Sequence, residues 1–156
     1  MQIKDNFLSE EEFNQLNKTF HLANFPWYFI PFKVQPDDDY YQFYHLFVAK
    51  GKIHSKYYDI LHPILTKLEA KKILRIKANL TLKQSTNTSS EMHIDFKDCK
   101  TSIFYLNSNN GYTQFEKGDK IISKENRVVV FDSNLKHCAV DCTDTKYRIV
   151  INFNYL

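Results

Sequence analysis

The chain has few of the residues that usually break or staple a fold. Its 156 residues include only three glycines, four prolines and three cysteines. We therefore expect few tight glycine turns and no disorder beyond short loops. Apolar residues make up an ordinary 43 %, with 13 phenylalanines and 10 tyrosines. A chain of this length is typical of a single domain (residues 1–156), and it can bury about two-thirds of its unfolded surface without disulfides.

Two further absences bear on where the protein works. The cysteines Cys99, Cys138 and Cys142 are odd in number, and residues 1–5 do not resemble a signal peptide. Both observations favour a reducing cytoplasm. No apolar run approaches the roughly 20 residues of a membrane span, so no membrane partner is expected. The pair Cys138-x-x-x-Cys142 lacks the second pair that a structural zinc site requires.

The chain also lacks a strong charge of one sign, because its formal net charge is only +3. An enzyme acting on nucleic acid should carry a basic groove with exposed aromatic side chains for stacking. The basic residues are instead spread evenly along the sequence. Nucleic acid is therefore a disfavoured partner, although this charge does not exclude it.

The first 72 residues predict two helices. A capping box at Ser9-x-x-Glu12, followed by apolar residues at helical spacing, predicts a helix over residues 9–20. A second helix is expected over residues 55–70, and Pro63 should begin its regular part or kink it. We expect this N-terminal region to support the rest of the chain.

Between these helices, residues 21–40 are expected to be irregular, with Asp37–Asp39 forming a solvated loop. Residues 41–49 predict a strand. From Ile73 onward, polar and apolar residues alternate with a period of two, which predicts strands. The expected strands are 75–82, 92–96, 101–107, 112–116, 127–131 and 146–155. This even spacing favours a β-sandwich or barrel over residues 73–156, with the N-terminal helices on one outer face.

The stretch Glu91–Phe96 carries the first candidate site residues. In a strand, His93 and Asp95 share one face, which places an imidazole beside a carboxylate. His137 supplies a second imidazole from a later stretch. Two histidines and one carboxylate with open coordination positions form the ligand set of non-haem Fe(II) oxygenases.

Arg148 is the candidate anion-binding residue. Along the strand predicted for residues 146–155, it lies on the face opposite a continuous apolar row, which should pack on the helices. Its guanidinium is then directed to the barrel interior, where it needs an anionic partner such as a bound carboxylate. Pairing with Asp132 or Asp141 is the structural alternative. We expect the turn at residues 141–145 to form a hairpin that returns Arg148 towards His137.

The ordered set His93-x-Asp95, His137 and Arg148 resembles the Fe(II)/2-oxoglutarate-dependent dioxygenase superfamily. It is most similar to the prolyl-hydroxylase-like branch, which includes small microbial and viral members. The resemblance spans residues 73–156 and implies a double-stranded β-helix, the jelly-roll or cupin-like barrel. The stretches that extend it beyond the ordered set are Phe7–Glu11, Thr101–Asn107, Gly111–Phe115 and Asn126–Asp132.

The resemblance implies a role for each candidate residue. Three residues would bind Fe(II): His93, Asp95 and His137. Arg148 would bind the distal carboxylate of 2-oxoglutarate. Tyr105 matches the tyrosine that hydrogen-bonds this carboxylate in the branch, although it could be an ordinary core aromatic. Asn79 lies in a strand where relatives carry polar cosubstrate contacts, and a purely structural role is equally open.

The implied activity is hydroxylation of an unactivated C–H. Oxygen is consumed, 2-oxoglutarate becomes succinate and carbon dioxide, and ascorbate is an optional reductant. A peptidyl or free amino-acid side chain is the expected substrate. The alternatives are the same chemistry on a nucleobase or another small molecule, and a non-catalytic, cupin-like metal-binding module. Residues 84–90 replace the tyrosine-rich, glycine-containing stretch of the family, so we expect a lid or a plain loop there that decides the substrate.

Overall fold

The computed structural model describes residues 1–34 and 40–156, so the loop predicted at Asp37–Asp39 lies outside the described residues. Across these ranges the chain is mainly β, as expected, with two α-helices. The helices are α1 (Glu10–Phe20) and α2 (His62–Leu68). The strands are β1 (Gln2–Lys4), β2 (Tyr28–Ile30), β3 (Gln42–Ala49), β4 (Lys52–Ile53), β5 (Ile73–Leu82), β6 (Lys100–Tyr105), β7 (Tyr112–Phe115), β8 (Lys120–Ile122), β9 (Arg127–Asp132), β10 (His137–Val140) and β11 (Tyr147–Tyr155).

The strands form two antiparallel sheets. The large sheet has the order β1-β9-β6-β11-β5-β3-β2, with β4 paired to β3. The small sheet has the order β10-β7-β8. The N-terminal region is therefore not only a helical support, because β1, β2 and β3 extend the large sheet at both ends. Residues 21–40, which are expected to be irregular, contain the short strand β2, which pairs with β3.

Both predicted helices are present, but the second is shorter than expected. The capping box of α1 is complete: the Ser9 hydroxyl accepts from the Glu12 N–H at 3.2 Å, and the Glu12 carboxylate accepts from the Ser9 N–H at 2.9 Å. The range 55–70 predicted for α2 is wrong at both ends. A 3₁₀ turn at Tyr58–Leu61 precedes it, because Pro63 lacks the N–H that a continuous α-helix would need. No helix among the described residues has the length and apolar character to cross a membrane.

The core lies between the helices and the large sheet. The apolar face predicted for β11 joins one buried cluster with the apolar stripes of both helices, which confirms that prediction. Phe104 of β6 contacts Phe7 and Phe13, with ring centroids 6.4 and 6.3 Å apart. Each fully buried side chain of this size contributes about 1.5–3 kcal/mol to folding. The opposite face of β11 is consequently directed away from the helices.

Two sequence predictions about the strands near the site are wrong. Residues 92–96 do not form a strand, and only an isolated bridge joins His93 to His137. The turn at 141–145 does not close a hairpin either, because β10 and β11 belong to different sheets. The chain crosses from one sheet to the other at this turn. His137 and Arg148 therefore line the same space from different sheets.

Candidate active site

A cavity of about 440 Å³ opens between the two sheets. The large sheet lines one side through β5 and β11, and the small sheet lines the other through β7 and β10. Five of the six candidate site residues line it: His93, Asp95, His137, Arg148 and Asn79. The fold thus brings together residues that are far apart in sequence.

The bridge between His93 and His137 sets the geometry of the candidate metal centre. Each residue donates its backbone N–H to the carbonyl of the other at 3.0 Å. Residues directly opposite in an antiparallel bridge project their side chains to the same side, and here the ring centroids are 5.0 Å apart. Asp95 follows two residues later, with its Oδ1 3.6 Å from His93 Nε2. One ligand atom from each of the three residues lies within 4.8 Å of the others.

The hydrogen bonds of the two imidazoles fix which nitrogen is free to bind a metal. His93 Nδ1 donates to the Glu91 carbonyl at 2.8 Å, and His137 Nδ1 donates to the Leu135 carbonyl at 3.1 Å. A carbonyl can only accept, so Nδ1 must carry the proton in both rings. The Nε2 lone pairs are then directed into the site, and His137 Nε2 is buried without a partner. This arrangement is typical of metal-ligating histidines.

The ionisation of these residues also suits a cation. Burial lowers the pKa of His137, which favours the neutral imidazole. Burial alone would raise the pKa of Asp95, but its contact with His93 and the charge of Arg75 hold that pKa well below its usual range. Burial likewise opposes the charged form of His93, yet the contact with Asp95 and the hydrogen bond to the Glu91 carbonyl raise its pKa overall. A bound metal ion would therefore replace the proton on His93 as the positive charge that neutralises Asp95.

Arg75 is a neighbour of the centre that the sequence reasoning missed. Its Nη2 lies 2.7 Å from Asp95 Oδ2, and its Nε donates to the Asn154 amide oxygen at 3.1 Å. Its guanidinium also lies over the ring of Phe96, 5.1 Å from the centroid. With one carboxylate oxygen held by Arg75, the other faces His93. Such a contact orients a ligand and sets its basicity.

Arg148 lies at another part of the cavity and is only 3 % exposed. Its Nε donates to the Ser123 hydroxyl at 2.8 Å, and its Nη2 donates to the Thr113 hydroxyl at 3.4 Å. It forms no ion pair with any residue in the described ranges. Burial lowers the pKa of Arg148, and the nearby charge of Asp141 opposes that lowering only in part.

Neither carboxylate considered as a structural partner of Arg148 fills that role. Asp141 is paired with Lys33. Asp132 Oδ1 accepts from the Asn134 N–H at 2.9 Å. Arg148 thus has no ion-pair partner among the described residues, although the charge of Asp141 reaches it.

Gly111 makes room for this arginine. A Cβ at position 111 would lie 2.8 Å from Arg148 Cδ and 2.9 Å from the Val140 carbonyl oxygen. Real side chains do not approach so closely, so any larger residue would displace the stem of Arg148. The absence of a side chain at Gly111, just before β7, therefore leaves the space that Arg148 occupies.

Tyr105 is fully buried and does not itself line the cavity. Its hydroxyl donates to Thr113 Oγ1 at 2.8 Å, and burial raises the pKa of the phenol. Thr113 does line the cavity, and it accepts from both Tyr105 and Arg148. The tyrosine therefore reaches the cavity through Thr113, which the sequence reasoning missed. Asn79 lines the cavity directly, and its side-chain oxygen is buried without a partner.

The stretch 84–90 is held to β10 and the residues after it by main-chain hydrogen bonds. Ser90 donates to the Ala139 carbonyl, and the Asp141 N–H donates to the Thr88 carbonyl, both at 2.9 Å. The Asn87 amide donates to the Asp141 carbonyl at 2.9 Å. Of the two expectations for this stretch, these contacts favour a fixed loop over a lid.

Three solved structures illustrate what the fold is similar to, although no family model and no curated protein matches the sequence. An oxidoreductase of the 2OG-Fe(II) oxygenase family from Burkholderia pseudomallei is 11 % identical, with a TM-score of 0.71 over 97 % of this chain and 81 % of that chain. A prolyl hydroxylase from Trichoplax adhaerens, in complex with a hypoxia inducible factor peptide fragment, is 14 % identical, with a TM-score of 0.69 over 99 % and 82 %. A Pseudomonas putida prolyl-4-hydroxylase is 11 % identical, with a TM-score of 0.65 over 99 % and 91 %. The chain therefore has the jelly-roll fold of the 2OG-Fe(II) oxygenases, which confirms the fold predicted from sequence.

Proposed function

We propose that the chain is an Fe(II)- and 2-oxoglutarate-dependent oxygenase that hydroxylates an unactivated C–H. One observation carries the proposal: a His-Asp-His set within 4.8 Å lines the same cavity as a buried arginine that forms no ion pair with any described residue. Either feature alone has a structural explanation. Together they fit a metal and an organic acid held side by side.

The donor set fits Fe(II). Two imidazoles and one carboxylate are the protein ligands of the open-sited non-haem iron oxygenases. The buried, unpartnered Nε2 of His137 gives a direct reason for a cation at this point, because such an atom is otherwise costly. His93, Asp95 and His137 would hold the metal, and Arg75 would orient Asp95.

Arg148 would hold the distal carboxylate of 2-oxoglutarate. Its Nε and Nη2 are already aligned by Ser123 and Thr113, and its charge lacks a partner among the described residues. Tyr105 would act through Thr113 as a positioning residue, and Asn79 would offer a polar contact along the cavity wall. When bound, the iron, 2-oxoglutarate and oxygen supply the oxidising chemistry. The chain contributes orientation and a site shielded from water.

The expected substrate is a peptidyl or free amino-acid side chain, as in the prolyl-hydroxylase-like branch. The alternative of a non-catalytic, metal-binding module leaves the buried Arg148 without a purpose, so we disfavour it. We further propose that residues 1–156 work as one domain, because one apolar core cluster contains residues from both 1–72 and 73–156. The three cysteines are free thiols, which is compatible with the predicted reducing compartment.

Succinate formation is the decisive test. Protein purified without oxygen is supplied with Fe(II), 2-oxoglutarate and oxygen, with and without ascorbate, and succinate is quantified. We expect slow succinate production even without substrate. Absence of succinate, together with no 2-oxoglutarate binding by calorimetry, would overturn the proposal.

A variant at Arg148 tests the role assigned to it. Arg148→Ala should keep Fe(II) affinity and weaken 2-oxoglutarate binding about 30-fold or more, because it removes the cation of a buried charge pair. Arg148→Lys should recover part of that affinity. The control is Arg127→Ala, which removes a guanidinium paired with Asp5 outside the cavity. If Arg148→Ala binds 2-oxoglutarate normally, the assignment of its carboxylate partner is wrong.

A further inference from the structure

The proposed function leaves one cation of the cavity without a role. Lys77 lines the cavity on β5, between Arg75 and Asn79. Its ammonium makes no hydrogen bond or ion pair with any described residue. The ammonium lies over the ring of Tyr44, 5.2 Å from its centroid. A lysine in a partly enclosed cavity usually has a counter-ion, and an anion bound in this cavity would supply one.

The other cations that line the cavity are already accounted for. Lys33 is paired with Asp141, and Arg75 with Asp95. Arg148 is assigned to the distal carboxylate of 2-oxoglutarate. Burial and the charge of Arg75 lower the pKa of Lys77 to about 8. An anion beside the ammonium would stabilise its charged form and raise this pKa again.

Polar atoms around Lys77 also lack partners. Asn152 of β11 lies directly opposite Lys77 in the register of the two strands. The side-chain oxygens of Asn152 and Asn79 are both buried, and neither forms a hydrogen bond within the described part of the chain. Native structures rarely leave such atoms unsatisfied, so a polar ligand is the natural partner.

Lys77 is distinct from the cosubstrate contact at Arg148. Thr81 is the residue of β5 opposite Arg148, and Lys77 lies four residues away, roughly 13 Å along the strand. In the other direction, Arg75 contacts the candidate ligand Asp95. Lys77 is therefore near the metal end of the cavity, where the reacting part of a substrate must lie.

We propose that the primary substrate is a small acid whose oxyanion, a carboxylate or a phosphate, is bound by Lys77. Asn79 and Asn152 hydrogen-bond its neighbouring polar atoms. The inference rests on the proposed function and narrows its substrate. An internal residue of a peptide has no main-chain carboxylate, so a free amino acid fits the site better. The cavity volume of about 440 Å³ lies towards the lower end of ligand pockets and must also hold 2-oxoglutarate.

Anaerobic calorimetry on protein loaded with Mn(II) and saturating 2-oxoglutarate tests this directly. The probes are free L-amino acids, their carboxamides, nucleoside 5′-monophosphates and the corresponding nucleosides. We expect at least one acid to bind, and its neutral counterpart to bind at least tenfold more weakly. Binding of amino acids assigns a carboxylate, whereas binding of nucleotides alone assigns a phosphate.

Variants at Lys77 provide the second arm. Lys77→Met should lower the affinity for the acid at least tenfold, leave the neutral counterpart unchanged and leave 2-oxoglutarate binding unchanged. Lys77→Arg should retain acid binding within a few-fold. Lys120→Met is the matched control, because Lys120 lies over the Tyr112 ring at 5.0 Å but does not line the cavity. Thermal unfolding of each variant confirms that it is folded.

The inference is overturned if carboxamides bind as tightly as acids, if Lys77→Met binds acids normally, or if no probe binds. It is also overturned if Lys77→Met weakens 2-oxoglutarate binding as Arg148→Ala does, since Lys77 would then serve the cosubstrate. These outcomes differ from failure of the proposed function, in which 2-oxoglutarate itself does not bind to the wild-type protein.

Discussion

The two faces of β11 have opposite characters. On the helix side, Ile149, Ile151 and Phe153 are at most 1 % exposed and pack into one apolar cluster. On the cavity side, Arg148 forms no ion pair and the Asn152 oxygen no hydrogen bond with any described residue. One face is satisfied by apolar packing, whereas the other presents polar groups that a ligand can bind. Substitutions on the two faces should therefore separate stability from binding.

The largest expected effect on binding is at His137. His137→Ala removes one of the three proposed ligands, whose Nε2 has no hydrogen-bond partner among the described residues, so Fe(II) binding should be abolished. The thermal stability of the metal-free protein should change little. Calorimetry with Mn(II) under argon measures the loss, with the exposed His62 changed to Ala as control. Metal binding at wild-type affinity in His137→Ala would exclude His137 from the centre.

The largest expected effect on stability is on the other face. Phe153→Ala should lower the free energy of unfolding by about 3–5 kcal/mol, because it empties a fully buried ring site. Its neighbour Asn152→Ala should change it by about 1 kcal/mol or less, since no hydrogen bond to the Asn152 oxygen is lost. Urea unfolding compares the two. Equal destabilisation would remove the distinction between the faces.

An intermediate effect is expected at Arg75. Arg75→Gln releases Asp95 Oδ2 and should weaken metal binding about 10- to 100-fold, as loss of an outer-shell partner does. Arg127→Gln breaks a comparable arginine–carboxylate pair, with Asp5 at 2.6 Å, outside the cavity. Metal titrations of both variants should separate a role in the centre from a general loss of charge.

A smaller effect is expected at Gly111. Gly111→Ala would place a methyl group 2.8 Å from Arg148 Cδ, and we expect 2-oxoglutarate affinity to fall about tenfold, equivalent to about 1.4 kcal/mol. Metal affinity should be retained. Gly118→Ala is the control, because that site has a φ of +99° but no atom within 4 Å. Gly118→Ala should lower the free energy of unfolding and leave 2-oxoglutarate affinity unchanged.

The smallest effect is a pH dependence of acid binding. The pKa of Lys77 is lowered to about 8, so the ammonium is present below pH 8 and is lost as pH rises through that value. Acid affinity should fall over the same range, and a bound anion shifts the midpoint upward. Charged groups around Lys77 are Arg75 and Asp95, and the Tyr44 ring also faces it. Calorimetry from pH 6.5 to 9.5 should show a flatter profile for Lys77→Arg.

Local signals in the sequence were sufficient for much of the fold. The capping box at Ser9 and the alternation along β5 and β11 depend on neighbouring residues, and both predict the structure closely. The alternation in residues 92–96 does not, because a strand also needs partners along its length. This segment has a single bridge, at His93, and residue Asp98 adopts a left-handed φ of +58° soon afterwards. His93 and Asp95 nevertheless face the same site.

The alternation of polar and apolar residues does not reveal the other residues of the cavity. Arg75, Lys77 and Asn152 occupy the polar face of their strands, and in sequence a polar cavity wall looks the same as a face in water. Thr113 in β7 and Ser123 just after β8 give no signal at all, since a short hydroxyl side chain is common both in strands and in loops. Only the arrangement of the two sheets shows that Arg75, Lys77, Asn152 and Thr113 line one partly enclosed cavity, and that Ser123 contacts Arg148 there.

The main-chain attachment of residues 84–90 to β10 has a consequence for how this protein could change over time. Main-chain hydrogen bonds hold much of the loop in place, and the side chains of Asn87 and Ser90 add one bond each, to the Asp141 carbonyl and from the Ala139 N–H. Exchange of the other side chains of the loop should therefore loosen the scaffold least. The strand that carries His137 would keep its position through such exchanges. We therefore expect single substitutions in this loop to change the preference for the proposed substrate before they disturb the proposed metal centre.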